Sequence, residues 1–244
     1  MADHVKREDL DGLCILTLDR PDKLNALDTQ SFEALDRHLA DLEGQGAEIG
    51  CVILRGAGRG FCAGADLKVM GTVPVPPTFK PGVVERLGRL PQPVIAAIHG
   101  VCLTGGLELA LACDFILADA TARFADTHGK FGLVGAWGMG QRLPRRIGTP
   151  AAKRMMMTAR MVGAQEAGDL GLVDMLVPEG EVEAAATALA RDILANSWHT
   201  NFATKRLMIE TDGMSLAQAL AHEHYRYPGY APDYQARIDR FSRK

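Results

Sequence analysis

No pair among the five cysteines, at positions 14, 51, 62, 102 and 113, has CxxC spacing. An odd number of cysteines, mostly inside apolar runs, describes reduced thiols used as small core residues. That usage points to a cytoplasmic chain, and no metal site is expected. Charge bias is also missing: 27 Lys+Arg against 30 Asp+Glu leave a formal net charge of −3, which offers nothing to nucleic acid or an anionic membrane. The polar start MADHVKREDLDG lacks the apolar stretch of a secretory signal. The one candidate membrane run, 94–118, is interrupted by His99, Gly100, Gly105, Gly106, Glu108 and Asp114. Neither an internal repeat nor a low-complexity tract is found.

What remains is an ordinary globular composition, 47% hydrophobic and 23% charged over 244 residues, with enough chain for a substantial core. GLCILTLD (12–19) reads as a strand halted by Arg20-Pro21. Residues 28–43 read as a helix: Asp28 can cap it, and Phe32, Leu35, Leu39 and Leu42 recur at helical spacing. CVILRG (51–56) is a buried strand, followed by the glycine-rich AGRGFCAGAD. GTVPVPPTFKPG (71–82), with four prolines, is expected to be an irregular loop or lid. PVIAAIHG (93–100) and DFILAD (114–119) are further buried strands with a helix between them. Strands alternating with helices argue for an α/β architecture with crossover connections. Beyond about residue 150 the chain reads as helical apart from LVDMLVP (172–178), and Ser215-x-x-Gln218 forms a capping box. The expected division is an α/β core over 1–195 and a helical region over 196–244. Residues 121–160 carry eight Lys/Arg against Asp126 alone. This is either a solvated basic face or a contact for an anionic ligand or neighbouring subunit.

TGGLELALACD (104–114) places Glu108 in a helix that is apolar on every face, the only acidic or basic side chain between His99 and Asp114 apart from cysteine thiols. A buried, unpaired carboxylate costs several kcal/mol or takes up a proton. Either Glu108 caps its own helix, or it has a chemical role. The two glycines let the backbone turn tightly and leave N–H groups and the positive helix end open to a ligand. In the other glycine-rich turn, Gly58, Gly60 and Ala63 match the dinucleotide fingerprint G-x-G-x-x-G/A. No acidic residue ends a following strand about twenty residues on, which disfavours nicotinamide. Cys62 could act as a nucleophile with His128, although its apolar flank favours an inert thiol. Both turns follow buried strands, so they can converge and aim N–H groups at one point. That is how an oxyanion hole is built.

FCAGADLK (61–68), taken with AAIHGVCLTGGLELALACD (96–114), resembles the enoyl-CoA hydratase/isomerase (crotonase) superfamily. The similarity runs on through RPDKLNAL (20–27), FADTHGKFGL (124–133), QRLPRRIG (141–148) and AQEAGDLGLVDMLVP (164–178). The resemblance implies a crotonase-like α/β spiral core of repeated ββα units, a helical C-terminal region and a homotrimer or homohexamer. It implies acyl-CoA thioester substrates, with coenzyme A entering as part of the substrate and no separate cofactor. It also implies that the N–H groups of Ala63 and Gly105 hold the thioester oxygen. Lys23, Ala26, Ala65, Asp66 and Leu67 match positions that line the CoA site, and Glu108 matches the first of two catalytic glutamates. Ungapped spacing from Glu108 to Gln141-Arg142-Leu143 puts His128 where the second glutamate belongs. An imidazole, with an ordinary pKa near 6.5, can donate or accept a proton at neutral pH, so Glu108 and His128 are the expected catalytic pair. The expected activity is that of a hydratase-type lyase. Double-bond isomerisation, thioester hydrolysis and catalytically silent acyl-CoA binding are the alternatives. Residues 70–90 and 134–140 are expected to shape the acyl pocket, and AQALAHEHYRYPGY (217–230) to form a subunit interface.

Overall fold

The structure is a computed structural model that describes residues 3–45 and 48–242. The outermost residues of the expected 1–195 and 196–244 divisions lie outside the described residues. The chain begins with a hairpin that hydrophobic patterning misses: β1 (Val5–Leu10) pairs antiparallel with β2 (Leu13–Leu18). β1 is an edge strand with Val5 its only buried residue, so it carries no apolar alternation. The available signal was Asp11-Gly12, whose φ values of 49° and 84° give the two-residue turn that this dipeptide favours. α1 (Thr29–Glu43) starts where expected, with Asp28 accepting the Ser31 N–H at 2.8 Å. β3 (Cys51–Gly56) is followed by α2 (Phe79–Arg89), which begins inside the stretch expected to be irregular. Pro81 is tolerated because it falls in the first turn, where its missing N–H has no intrahelical partner to lose.

β4 (Val94–Ile98), β5 (Val101–Leu103) and α3 (Gly105–Ala112) divide the candidate membrane run together with β6 (Phe115–Asp119). β7 (Arg123–Ala125) leads to a 3-10 turn, His128–Phe131, then α4 (Met139–Ile147) and α5 (Thr149–Thr158). The short β8 (Val162–Gly163), α6 (Ala164–Asp169) and β9 (Met175–Val177) precede the long α7 (Val182–Ala195). α8 (Trp198–Glu210), α9 (Leu216–Tyr225) and α10 (Tyr234–Ser242) complete the chain. The Ser215–Gln218 capping box forms at the head of α9. Among the described residues, no helix is long and apolar enough to cross a membrane.

A six-stranded sheet runs β1-β2-β3-β4-β6-β9, parallel after the first hairpin, and a second sheet runs β5-β7-β8. β4-β5-α3 and β6-β7-α4 repeat one path: a strand in the large sheet, a short strand in the small sheet, then a helix. β3 follows the same path through Cys62, which bridges in parallel to Cys102, and on to α2. This is the ββα repeat that the resemblance implies. The large sheet is apolar on both faces, as a covered parallel sheet must be. One face packs on α1, α2 and α3, and α7 covers the other, setting Val182, Ala186 and Ala190 against Ile53, Ile95 and Leu117.

The small sheet positions the candidate site. β5 and β7 run parallel with Leu103 opposite Ala125, and the Thr104 N–H donates to the Ala125 carbonyl at 2.9 Å. The chain leaving β5 therefore enters the Gly105-Gly106 turn at the edge where the chain leaving β7 reaches Asp126 and His128.

Candidate active site

Every residue of α3 is buried. Burying Leu107, Leu109 and Leu111 contributes about 1.5–3 kcal/mol each, which outweighs the cost of a hydrogen-bonded carboxylate in the same helix. The turn into α3 is made at Thr104, with φ 43° and ψ −111°. Such a conformation costs a β-branched residue about 1–3 kcal/mol. Gly64, on the other glycine-rich segment, has φ 98°, and a Cβ there would overlap Thr104 Oγ1. Glycine is required at 64 on both counts, and the two turns touch there.

Glu108 is only 1% exposed. Its Oε1 accepts the N–H groups of Trp137 (2.8 Å) and Met139 (3.0 Å), at the head of α4. It does not cap its own helix. Among the described residues, the N–H groups of Gly105, Gly106 and Leu107 meet no acceptor. Burial pushes the Glu108 carboxyl above the ordinary glutamate range, opposed by the Met139 and Trp137 N–H groups and by His128. Lying at the N-terminal ends of both α3 and α4 also favours its charged form.

The structure brings His128 beside Glu108. Its Nε2 lies 3.9 Å from Glu108 Oε2, and its Nδ1 lies 2.6 Å from Asp126 Oδ1. The hydrogen bond to Asp126 raises the imidazole pKa, against a smaller opposing effect of burial. Gly135 lies between the two side chains. A Cβ there would come within 3.2 Å of both Glu108 Oε1 and His128 Cε1. Trp137 packs its ring over Gly105, where a Cβ would collide with it, and meets the Phe32 ring edge-on at 4.8 Å between centroids. Arg142 Nη1 donates to the Trp137 carbonyl at 2.9 Å. The backbone at 137 is thus held by Glu108 on one side and Arg142 on the other.

One expectation needs correction. The Ala63 N–H donates to the Leu24 carbonyl at 2.9 Å, so it is not a free donor. The free group is two residues on. Leu27 bridges to Ala65 through the Gly64 carbonyl and the Asp66 N–H, which leaves the Ala65 N–H without an acceptor among the described residues. The same bridge lays 23–27 beside 64–67, bringing Lys23, Ala26, Ala65, Asp66 and Leu67 into one neighbourhood. Lys23 and Leu67 are exposed there, Ala26 and Ala65 are half-buried, and Asp66 pairs with Arg20 at 3.0 Å.

Sequence reasoning missed four residues of this region: Arg20, Asn25, Asp126 and Gly135. Asn25, at φ 56°, is buried and donates to the Ala57 and Gly60 carbonyls, both at 2.8 Å. It pins the segment that carries Lys23 and Ala26 against the glycine-rich loop. Its place in RPDKLNAL was the signal. Asp126 had a signal too, as the only acid in a basic stretch.

The rival chemistries fail on geometry. Cys62 is fully buried, its thiol pushed up to about 12 and donating to the Asn25 carbonyl at 3.1 Å, so it is no nucleophile. The stretch from Gly58 to Ala63 opens no helix, and Cys62 pairs with the small sheet, unlike a dinucleotide turn. The basic stretch is partly neutralised by acids outside it: Arg146 pairs with Asp174, and Arg160 with Glu166. Among the described residues, no His, Cys, Asp and Glu are grouped to hold a metal ion.

A repeated ββα path, N–H groups that meet no acceptor among the described residues at a buried helix start, and a carboxylate–imidazole pair beside them place the chain in the class that the resemblance implies. Comparison with known sequences then identifies the lineage: the enoyl-CoA hydratase/isomerase family profile matches residues 8–232, and the chain belongs to that family. It is 35% identical over 234 residues to the probable peroxisomal enoyl-CoA hydratase 1 of Arabidopsis thaliana, covering 93% of this chain and 86% of that one. It is 30% identical to the 1,2-epoxyphenylacetyl-CoA isomerase of Escherichia coli, covering 99% and 94%. Among solved structures, the Bacillus anthracis enoyl-CoA hydratase superposes with a TM-score of 0.92 at 32% identity, covering 98% and 96%.

Proposed function

We propose that this chain is an acyl-CoA-processing lyase of the enoyl-CoA hydratase type, acting through a thioester enolate. The observation that carries the reading is the Glu108 carboxylate, fixed by two main-chain N–H groups, facing His128 at 3.9 Å, and beside the α3 N–H groups that meet no acceptor among the described residues. The thioester oxygen accepts from the Gly105 and Ala65 N–H groups, and negative charge develops there as the α-carbon becomes enolate-like. One such donor is worth about 3–4 kcal/mol in the transition state. Of Glu108 and His128, one activates water and the other carries the α-proton. Lys23, Ala26, Asp66 and Leu67 line the CoA portion, and coenzyme A enters only as part of the substrate. The buried, reduced thiols fit a reducing cytoplasm.

Assembly as a trimer or hexamer belongs to the same reading, with residues 196–244 as the assembling region. α9 and α10 bury none of their residues and expose Leu216 (75%) and Phe241 (80%). Light scattering at micromolar concentration checks this, and a monomer would refute it.

The activity is tested by incubating the purified protein with saturated, 2-enoyl, 3-enoyl and 3-hydroxyacyl-CoA esters under mass spectrometry. Gain of one water by a 2-enoyl ester is expected. Isomerisation is the second reading, and it would move the double bond without a change in mass. Release of free CoA would mean hydrolysis. Binding of every ester without turnover would overturn the enzymatic reading.

A further inference from the structure

We infer that Asp126 is a positioning residue: it decides which nitrogen of His128 carries the proton, and so turns the Nε2 lone pair toward Glu108 and the substrate. The inference rests on the His128 role proposed above. Asp126 follows β7 directly and is 3% exposed. Its Oδ1 takes two bonds from the same residue, the His128 backbone N–H at 3.1 Å and Nδ1 at 2.6 Å. One oxygen therefore fixes both the main chain and the ring.

The chemistry follows from the inventory of donors. A neutral imidazole has one N–H and one lone pair, and a carboxylate can only accept. A proton on Nδ1 completes the short bond to Asp126, whereas a proton on Nε2 would set the Nδ1 lone pair against the carboxylate. The geometry thus selects the Nδ1–H tautomer. Nε2 is 3.9 Å from Glu108 Oε2, too far for a hydrogen bond, so neither group consumes the other. Both pack against the Gly135 backbone, where a Cβ would crowd them. When the α-carbon C–H bond breaks, its electron pair enters the enolate and the proton passes to Nε2. The imidazolium then holds N–H on both nitrogens, with Asp126 still accepting at Nδ1, and the reverse step returns the proton to carbon.

The charged groups around His128 are few. Asp126 faces it from the end of β7 and Glu108 from α3, and no others lie within ion-pair distance among the described residues. Lys130 on its own turn is exposed, as are Lys153 and Arg154 on α5, which packs against that turn. Loss of the Asp126 charge should therefore lower the His128 pKa rather than raise it.

Three measurements test this. In the unmodified protein, ¹⁵N NMR of the His128 ring should report hydrogen on Nδ1 in the neutral state, and hydrogen on Nε2 would overturn the inference. Asp126→Asn keeps size and an acceptor for the His128 backbone N–H but removes the charge and lets the amide donate to Nδ1. It should lower kcat by about 10²-fold or more, leave acyl-CoA binding within a few-fold, and move the pH–rate inflection to lower pH. An unchanged inflection and an unchanged His128 titration in that variant would show a merely structural Asp126. His128→Ala separates the two readings. If it keeps the wild-type rate, the catalytic role of His128 falls, while the NMR tautomer still reports on Asp126.

Discussion

Glu108 and His128 face each other at 3.9 Å from segments built in opposite ways. α3 is buried along its whole length, and main-chain N–H groups of α4 hold the Glu108 oxygen. The 3-10 turn His128–Phe131 buries no residue, leaves the His128 side chain 15% exposed, and is steered by one side chain, Asp126. A group anchored by backbone in a packed core has its place fixed by folding itself, and its acidity is set mainly by burial. Partial exposure and a side-chain hold leave His128 tunable by a single charge. The same contrast explains legibility, since a carboxylate in a leucine helix stands out and a histidine in a polar turn does not.

The largest effect should come from the buried arm. Glu108→Gln keeps size and hydrogen bonding but removes the base, so turnover should fall roughly 10²–10⁴-fold with acyl-CoA binding retained within a few-fold. A Gln variant with half the wild-type rate on its true substrate would remove Glu108 from the chemistry. On the exposed arm, His128→Ala should lose about 10²-fold. The hydrogen bond to Asp126 raises the His128 pKa, so the base form is lost as pH falls through an inflection above the ordinary imidazole value. The Ala variant should lack that inflection, and retaining it would assign the inflection to another group.

Gly64→Ala tests the joint between the turns without touching either side chain. Its positive φ and the overlap with Thr104 Oγ1 should destabilise the fold by about 1–3 kcal/mol, read as a lowered denaturant midpoint. An unchanged midpoint would mean that the two turns do not depend on each other. The smallest effect is a gain. Burial raises the Glu108 pKa in the folded state, so its contribution to stability is complete below the unfolded value and is lost as pH rises through the folded one. Glu108→Gln should then melt above the wild type at pH 8, with the difference vanishing near pH 4. A variant that melts lower at pH 8 would mean that the Trp137 and Met139 bonds outweigh burial.

The sequence alone determined whatever is encoded locally. Apolar runs made β2, β3, β4 and β6, Asp28 and Ser215 capped α1 and α9, and the two glycine turns lay beside buried strands because short patterns suffice for each. Glu108 was legible for the same reason, and ungapped spacing carried His128 with it. Tertiary structure decided what depends on a partner from elsewhere in the chain. Ala63 and Ala65 offer the same N–H two residues apart, and only the position of the Leu24 carbonyl tells which one is already satisfied. The fixing of the His128 ring by Asp126 and the close approach of Gly135 to Glu108 and His128 follow from strand register and from backbone approach around the small sheet. A hydrogen bond or a collision is a relation between two segments, and hydrophobic periodicity describes only one.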